Sequence, residues 1–92
     1  MIMPVPVELP IDGELDLHHF HPDDVKALVP DYLDECKERG ISDVRIIHGK
    51  GTGVLREIVH TILKRRPDVI AYYLTDHNWG STSVVLNLKT QS

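Results

Sequence analysis

Residues 45–56, RIIHGKGTGVLR, constrain this chain more than any other stretch. Ile46 and Ile47 lead into His48, glycines follow at alternate positions (Gly49, Gly51, Gly53), and Val54, Leu55 and Arg56 come next. That order reads as strand, tight loop, helix. Glycine admits positive φ and close approach of the backbone, and the N–H groups and dipole at a helix start favour an anion. A phosphate is the obvious candidate. The spacing GxGxG is neither the dinucleotide fingerprint nor the GxxxxGK[ST] loop, so spacing alone is equally consistent with a plain turn. The balance is moved by the company the loop keeps: His48 at the strand end, Lys50 within it, and Arg56 at the start of the helix.

The remaining pattern places this loop in an α/β domain. Residues 14–18 (ELDLH) alternate polar and apolar, setting Leu15 and Leu17 opposite Asp16 and His18. Pro22 suits the first position of a helix, and Asp23 and Asp24 suit its positive first turn. Val25, Leu28, Val29, Tyr32, Leu33 and Cys36 recur at helical spacing up to Gly40. Pro30 interrupts them and predicts a kink or two segments meeting near Val29. Residues 43–48 read as a second strand. Val54, Leu55, Ile58, Val59, Ile62 and Leu63 read as the stripe of a second helix, which Pro67 closes. Residues 69–75 and 83–88 read as further strands around a loop at 76–82.

The predicted fold is therefore α/β: a two-layer sandwich, β-α-β-α-β-β, with a four-stranded mixed sheet whose helices cover one face. The 92 residues suffice for one such domain. Residues 1–13, with the proline–valine alternation PVPV, read as an extended arm, and residues 14–92 as the domain.

Composition narrows the function. No apolar run approaches the 18 residues of a membrane span, and the opening lacks the pattern of a secretion signal. A lone cysteine, Cys36, excludes an internal disulfide and reads as a structural thiol; together these predict a cytoplasmic protein. The net charge of −4 argues against coating nucleic acid by charge alone. The charge is nonetheless segregated: ten acids face three bases up to residue 40, and four acids face seven bases after it. A basic surface near the glycine loop follows, with salt-sensitive affinity. Lys64, Arg65 and Arg66 read as ordinary solvated charges.

Ligands of α/β sheets bind beyond the carboxyl ends of parallel strands. If the first two strands are neighbours, about 5 Å apart, His18 and His48 converge beside the glycine loop. Histidine titrates near neutrality, so one imidazole can take a proton while the other gives one, as cleavage of a phosphodiester by an adjacent hydroxyl requires. Asp16 shares the face of His18 and can orient an imidazole or hold a metal ion. His18, His19 and His21, with His77, suggest a metal site, but the spacing fits no standard zinc pattern. His60 beside the helical stripe reads as structural. Trp79 suits either stacking on a base or capping the core.

Two motifs make the chain resemble the Smr (small MutS-related) domain family. Its LDLHG motif is matched by Leu15, Asp16, Leu17 and His18, with His19 in place of glycine. Its HGxGxGxLR motif is matched in full from His48 to Arg56. The resemblance spans residues 14–88; before the last strand the family's double glycine is here Trp79-Gly80. It implies a β-α-β-α-β-β sandwich similar to the C-terminal domain of a bacterial translation initiation factor. It also implies endonuclease activity on DNA or RNA, including RNA at stalled ribosomes. By position it implies catalytic roles for Asp16 and His18, and substrate or catalytic roles for His48, Gly49, Gly51 and Arg56. Taken with the loop, the candidate site is Asp16, His18 and His48 as catalysts, with Gly49, Lys50, Gly51, Thr52, Gly53 and Arg56 holding substrate. Family members differ in metal need, which leaves a divalent ion open as cofactor. The expected partners are nucleic acid, with the ribosome or a partner protein beside it. The alternative is a non-catalytic adaptor that docks through the same surface.

Overall fold

A computed structural model describes residues 11–49, 51–75 and 80–88. Its elements follow in the order β1 (Glu14–Asp16), α1 (Pro22–Glu38), β2 (Asp43–Ile47), α2 (Val54–Arg65), β3 (Val69–Leu74) and β4 (Ser81–Leu86). The sheet order is β1-β2-β4-β3. β1 runs parallel to β2, and β4 lies antiparallel to both β2 and β3. The last strand thus inserts between the second and third, giving the mixed four-stranded sheet that the element order predicts.

Alternation decides which face the helices cover. Leu15 and Leu17, Val44 and Ile46, and Val84 and Leu86 are buried, while Glu14, Asp16, Asp43 and Arg45 between them are exposed. Val25, Val29, Leu33 and Cys36 of α1 and Val59 and Leu63 of α2 complete the core against that one face. Two layers result, as expected.

Local chemistry fixes the ends of α1. Pro22 occupies its first turn with Asp23 and Asp24, and the amides of Asp24 and Val25 donate to the His21 carbonyl. At the other end Gly40 adopts φ 74°, Ile41 N–H donates to the Cys36 carbonyl and Gly40 N–H to that of Lys37. These paired bonds form a Schellman cap, which depends on a residue able to take positive φ. Contrary to the two-segment expectation, α1 is assigned without a break through Pro30. The burial of Val29, Tyr32 and Leu33 on either side offsets the bond that proline cannot make.

Two other expectations are corrected. β4 begins at Ser81, within the stretch predicted as loop, because Ser81 and Thr82 pair with Ile47 and Ile46 and Thr82 also pairs with Leu74. Arg66 is no solvated charge. Its guanidinium donates to Asp68 at 2.6 and 2.8 Å and to Asp34 at 2.8 Å, and Lys37 adds a 3.1 Å ion pair to Asp68. This network ties α1 to the α2–β3 turn. It holds the Asp68 carboxyl down at about 2, chiefly through the hydrogen bonds from Arg66.

Of the predicted arm, residues 1–10 lie outside the described residues. Ile11 packs against the core, and Gly13 N–H donates to the Tyr32 hydroxyl at 3.0 Å. No helix among the described residues is long and apolar enough to cross a membrane.

Candidate functional site

The glycine loop leaves the carboxyl end of β2 and enters α2, beside the carboxyl end of β1. The amides of His48 and Gly49 both donate to the Gly80 carbonyl, at 3.0 and 2.9 Å, which anchors the start of the loop to the chain entering β4. The Gly49 N–H is therefore already occupied. Gly49 and Gly53 take φ of 80° and 89°, values that side chains rarely adopt. Gly53 is the N-cap of α2, and Thr52 supplies the nearby hydroxyl, accepting from Val54 N–H at 3.3 Å. A Cβ on Gly53 would stand 3.0 Å from an Arg56 guanidinium nitrogen, so the glycine lets that cation lie against the loop. Lys50 lies outside the described residues.

Between this loop and the chain after β1 is a cleft of about 330 Å³, lined by Phe20, Pro22, His48, Gly51, Thr52, Gly53, Val54 and Leu55. His48 sits at its inner side, only 6% exposed. The strand register explains why. Asp16 pairs with Ile47, so Leu17, not His18, lies level with His48. Leu17 and His48 both follow the buried parity, and Leu17 N–H continues the ladder to the Ile47 carbonyl at 2.9 Å.

The two predicted histidines consequently occupy different surroundings. The His18 side chain is 65% exposed, with its Nδ1 3.7 Å from Asp16 Oδ1. The same carboxylate oxygen accepts the His18 amide at 2.9 Å, so Asp16 holds the turn and lies beside the imidazole. His48 instead has Nδ1 3.1 Å from the Gly49 carbonyl and Nε2 2.8 Å from the Thr82 hydroxyl. Thr82 is fully buried and meets a third group, His60 Nε2, also at 2.8 Å. The His48 and His60 rings lie edge to face with centroids 6.0 Å apart, and His60 continues to Tyr72 at 5.1 Å. Burial, the neighbouring His48 and Arg56 push the His60 pKa down, favouring its neutral form.

Thr82 is the residue that the sequence reading missed. The signal was the alternation in Ser81, Thr82, Ser83 and Val84, with a β-branched threonine at a core-facing position. Of the suggested histidine cluster, His18 and His19 bring their rings to 5.0 Å, and His77 lies outside the described residues, as does Trp79. Among the described residues no group of three or more His, Cys, Asp or Glu side chains is gathered as a metal site. Cys36 is a buried free thiol whose pKa burial raises.

The sandwich and its cleft define a small α/β domain with a glycine loop between parallel-strand ends and a helix N-terminus. More particularly, the chain belongs to the Smr domain family, whose model matches residues 15–88. It is 38% identical over 78 residues to the endonuclease MutS2 of Agathobacter rectalis, covering 85% of this chain and 10% of that protein. It is 41% identical over 76 residues to the endonuclease MutS2 of Clostridium novyi, covering 82% and 10%. The chain thus spans about a tenth of the length of these relatives. Among solved structures, the Smr domain of Thermus thermophilus MutS2 matches with a TM-score of 0.76 at 31% identity, covering 82% of this chain and 98% of that one. The Escherichia coli protein YdaL, a stand-alone small MutS-related protein, also matches with a TM-score of 0.76, at 25% identity, covering 82% and 64%.

Proposed function

We propose that this chain is a nucleic-acid-binding domain that cleaves phosphodiester bonds, with RNA preferred over DNA. The observation that carries this reading is the cleft, which joins His48, the glycine loop and the start of α2 at the strand ends where α/β domains take their ligands. Membership of a family whose relatives include proteins named endonuclease supports it.

In this mechanism an RNA phosphate enters the cleft against the loop. Arg56, Lys50 and loop amides other than that of Gly49 balance its charge, which grows in the transition state. His18, oriented by Asp16, takes the proton of the 2′-hydroxyl, and the freed oxygen attacks the adjacent phosphorus. His48, acting in its form protonated on both ring nitrogens, gives one of those protons to the departing 5′-oxygen and is left as a neutral imidazole. The products are a 2′,3′-cyclic phosphate and a free 5′-hydroxyl. DNA lacks the 2′-hydroxyl, which is why a pair of histidines favours RNA.

One observation favours the alternative of a non-catalytic adaptor on nucleic acid, a ribosome or a partner protein: both His48 ring nitrogens already meet protein oxygens. A labelled structured RNA incubated with the parent and with His18→Ala/His48→Ala decides between them. Cleavage by the parent alone supports the enzyme. Binding by both with cleavage by neither supports the adaptor.

A further inference from the structure

The geometry points to Thr82 and His60 as positioning residues that lock His48 in its Nδ1–H tautomer, so that it meets the substrate phosphate as a hydrogen-bond donor through Nδ1. This rests on the cleavage reading above and deepens it by assigning the single proton of the neutral, phosphate-binding ring to one atom, the acid step following once Nε2 has gained a second.

The direction of each hydrogen bond fixes the order of the protons. The Gly49 carbonyl can only accept, so the 3.1 Å contact with His48 Nδ1 requires a proton on Nδ1. A neutral imidazole then has a bare Nε2, which can only accept, and the atom facing it at 2.8 Å is the Thr82 hydroxyl. The Thr82 proton is thereby directed at His48. Its remaining lone pairs face His60 Nε2 at 2.8 Å, which must carry a proton in turn. The chain reads His60 Nε2–H to Thr82 Oγ, Thr82 Oγ–H to His48 Nε2, and His48 Nδ1–H to the Gly49 carbonyl. Each step fixes the next.

Its surroundings keep this order in place. Thr82 is fully buried on β4, so water does not compete for its hydroxyl. His60 is disfavoured as a cation by burial and by His48 and Arg56, with Glu57 acting in the opposite sense. The Tyr72 ring packs against His60 at 5.1 Å. His48 lines the cleft and Gly49 begins the glycine loop, so on this reading a phosphate oxygen entering the cleft competes with the Gly49 carbonyl for the same Nδ1–H. The base role is left to His18, exposed and paired with Asp16.

The test is a two-bond ¹H–¹⁵N correlation spectrum of the ¹⁵N-labelled 92-residue chain, recorded above the ordinary histidine range, which reports the tautomer of each ring. The expected result is Nδ1–H at His48 and Nε2–H at His60. Thr82→Val keeps the shape and removes the hydroxyl, so His48 moves toward a tautomer mixture; Thr82→Ser restores Nδ1–H. RNA cleavage by Thr82→Val should fall by about tenfold to a hundredfold, a part of the roughly 10²- to 10⁴-fold that a positioned acid or base contributes, with recovery in Thr82→Ser. An Nε2–H tautomer at His48 in the parent overturns the inference, as does a folded Thr82→Val with unchanged tautomer. Because the spectrum needs no activity, a parent that shows the Nδ1–H tautomer yet cleaves nothing refutes the cleavage reading and leaves the hydrogen-bond order standing.

Discussion

Asp68→Asn removes the charge at the centre of the network that joins α1 to the α2–β3 turn. Asp68 accepts from Arg66 at 2.6 and 2.8 Å and pairs with Lys37 at 3.1 Å, with its side chain 15% and that of Arg66 17% exposed. Its pKa falls from 3.8 to about 2, and at 1.36 kcal/mol per unit this difference is worth about 2 kcal/mol near neutrality. For a domain of this size the loss lowers Tm by roughly 8–16 °C. The sign follows from the depressed folded value. The contribution is fully present above the unfolded pKa of 3.8 and is lost as pH falls through about 2. Thermal unfolding of parent and variant should therefore differ most near neutrality and converge in acid, with more than half of the gap gone by about pH 2.5. A variant as stable as the parent at neutral pH, or a gap of equal size in acid, would refute the reasoning.

Two further substitutions test other joints of the fold. Tyr32→Phe strips the acceptor from the buried Gly13 N–H and should cost about 1–3 kcal/mol in urea denaturation without changing the cleft. Gly53→Ala forces a side chain into φ 89° and against Arg56, at a cost of about 1–2 kcal/mol. It should also weaken RNA binding measured by fluorescence anisotropy, because Arg56 must leave its place against the loop.

Much of this architecture is legible in the chain because its signals are local. The caps of α1 follow from Pro22, Asp23, Asp24 and Gly40, and the two helical stripes predict which sheet face is covered. The glycine loop is visible because side chains rarely adopt positive φ such as the 80° at Gly49 and 89° at Gly53. What depends on pairing across distance was not legible. Ser81 and Thr82 follow a glycine and look like loop, yet they become strand because β2 and β3 offer ladders on both sides. Arg66 looks like the end of a basic run, and only the folded chain brings Asp34, 32 residues away, to its guanidinium. β1 and β2 are neighbours, but β1 stops at Asp16, so His48 directly follows its strand while His18 lies two residues beyond its own, in a turn. A one-residue offset in register sets Leu17 beside His48 and leaves His18 exposed with Asp16. His60, read as structural, does fill space beside the core, but its partner is the hydroxyl that also holds His48. Neither residue carries that link in its own neighbourhood of sequence.

The central claim is that the cleft over His48 cleaves RNA, and the most direct measurement compares the parent with His48→Ala on one end-labelled structured RNA. The comparison is made at equal concentration, with circular dichroism confirming that both are folded. The parent should give discrete products ending in 2′,3′-cyclic phosphate, and the variant none. Undiminished cleavage by a folded His48→Ala would contradict that claim.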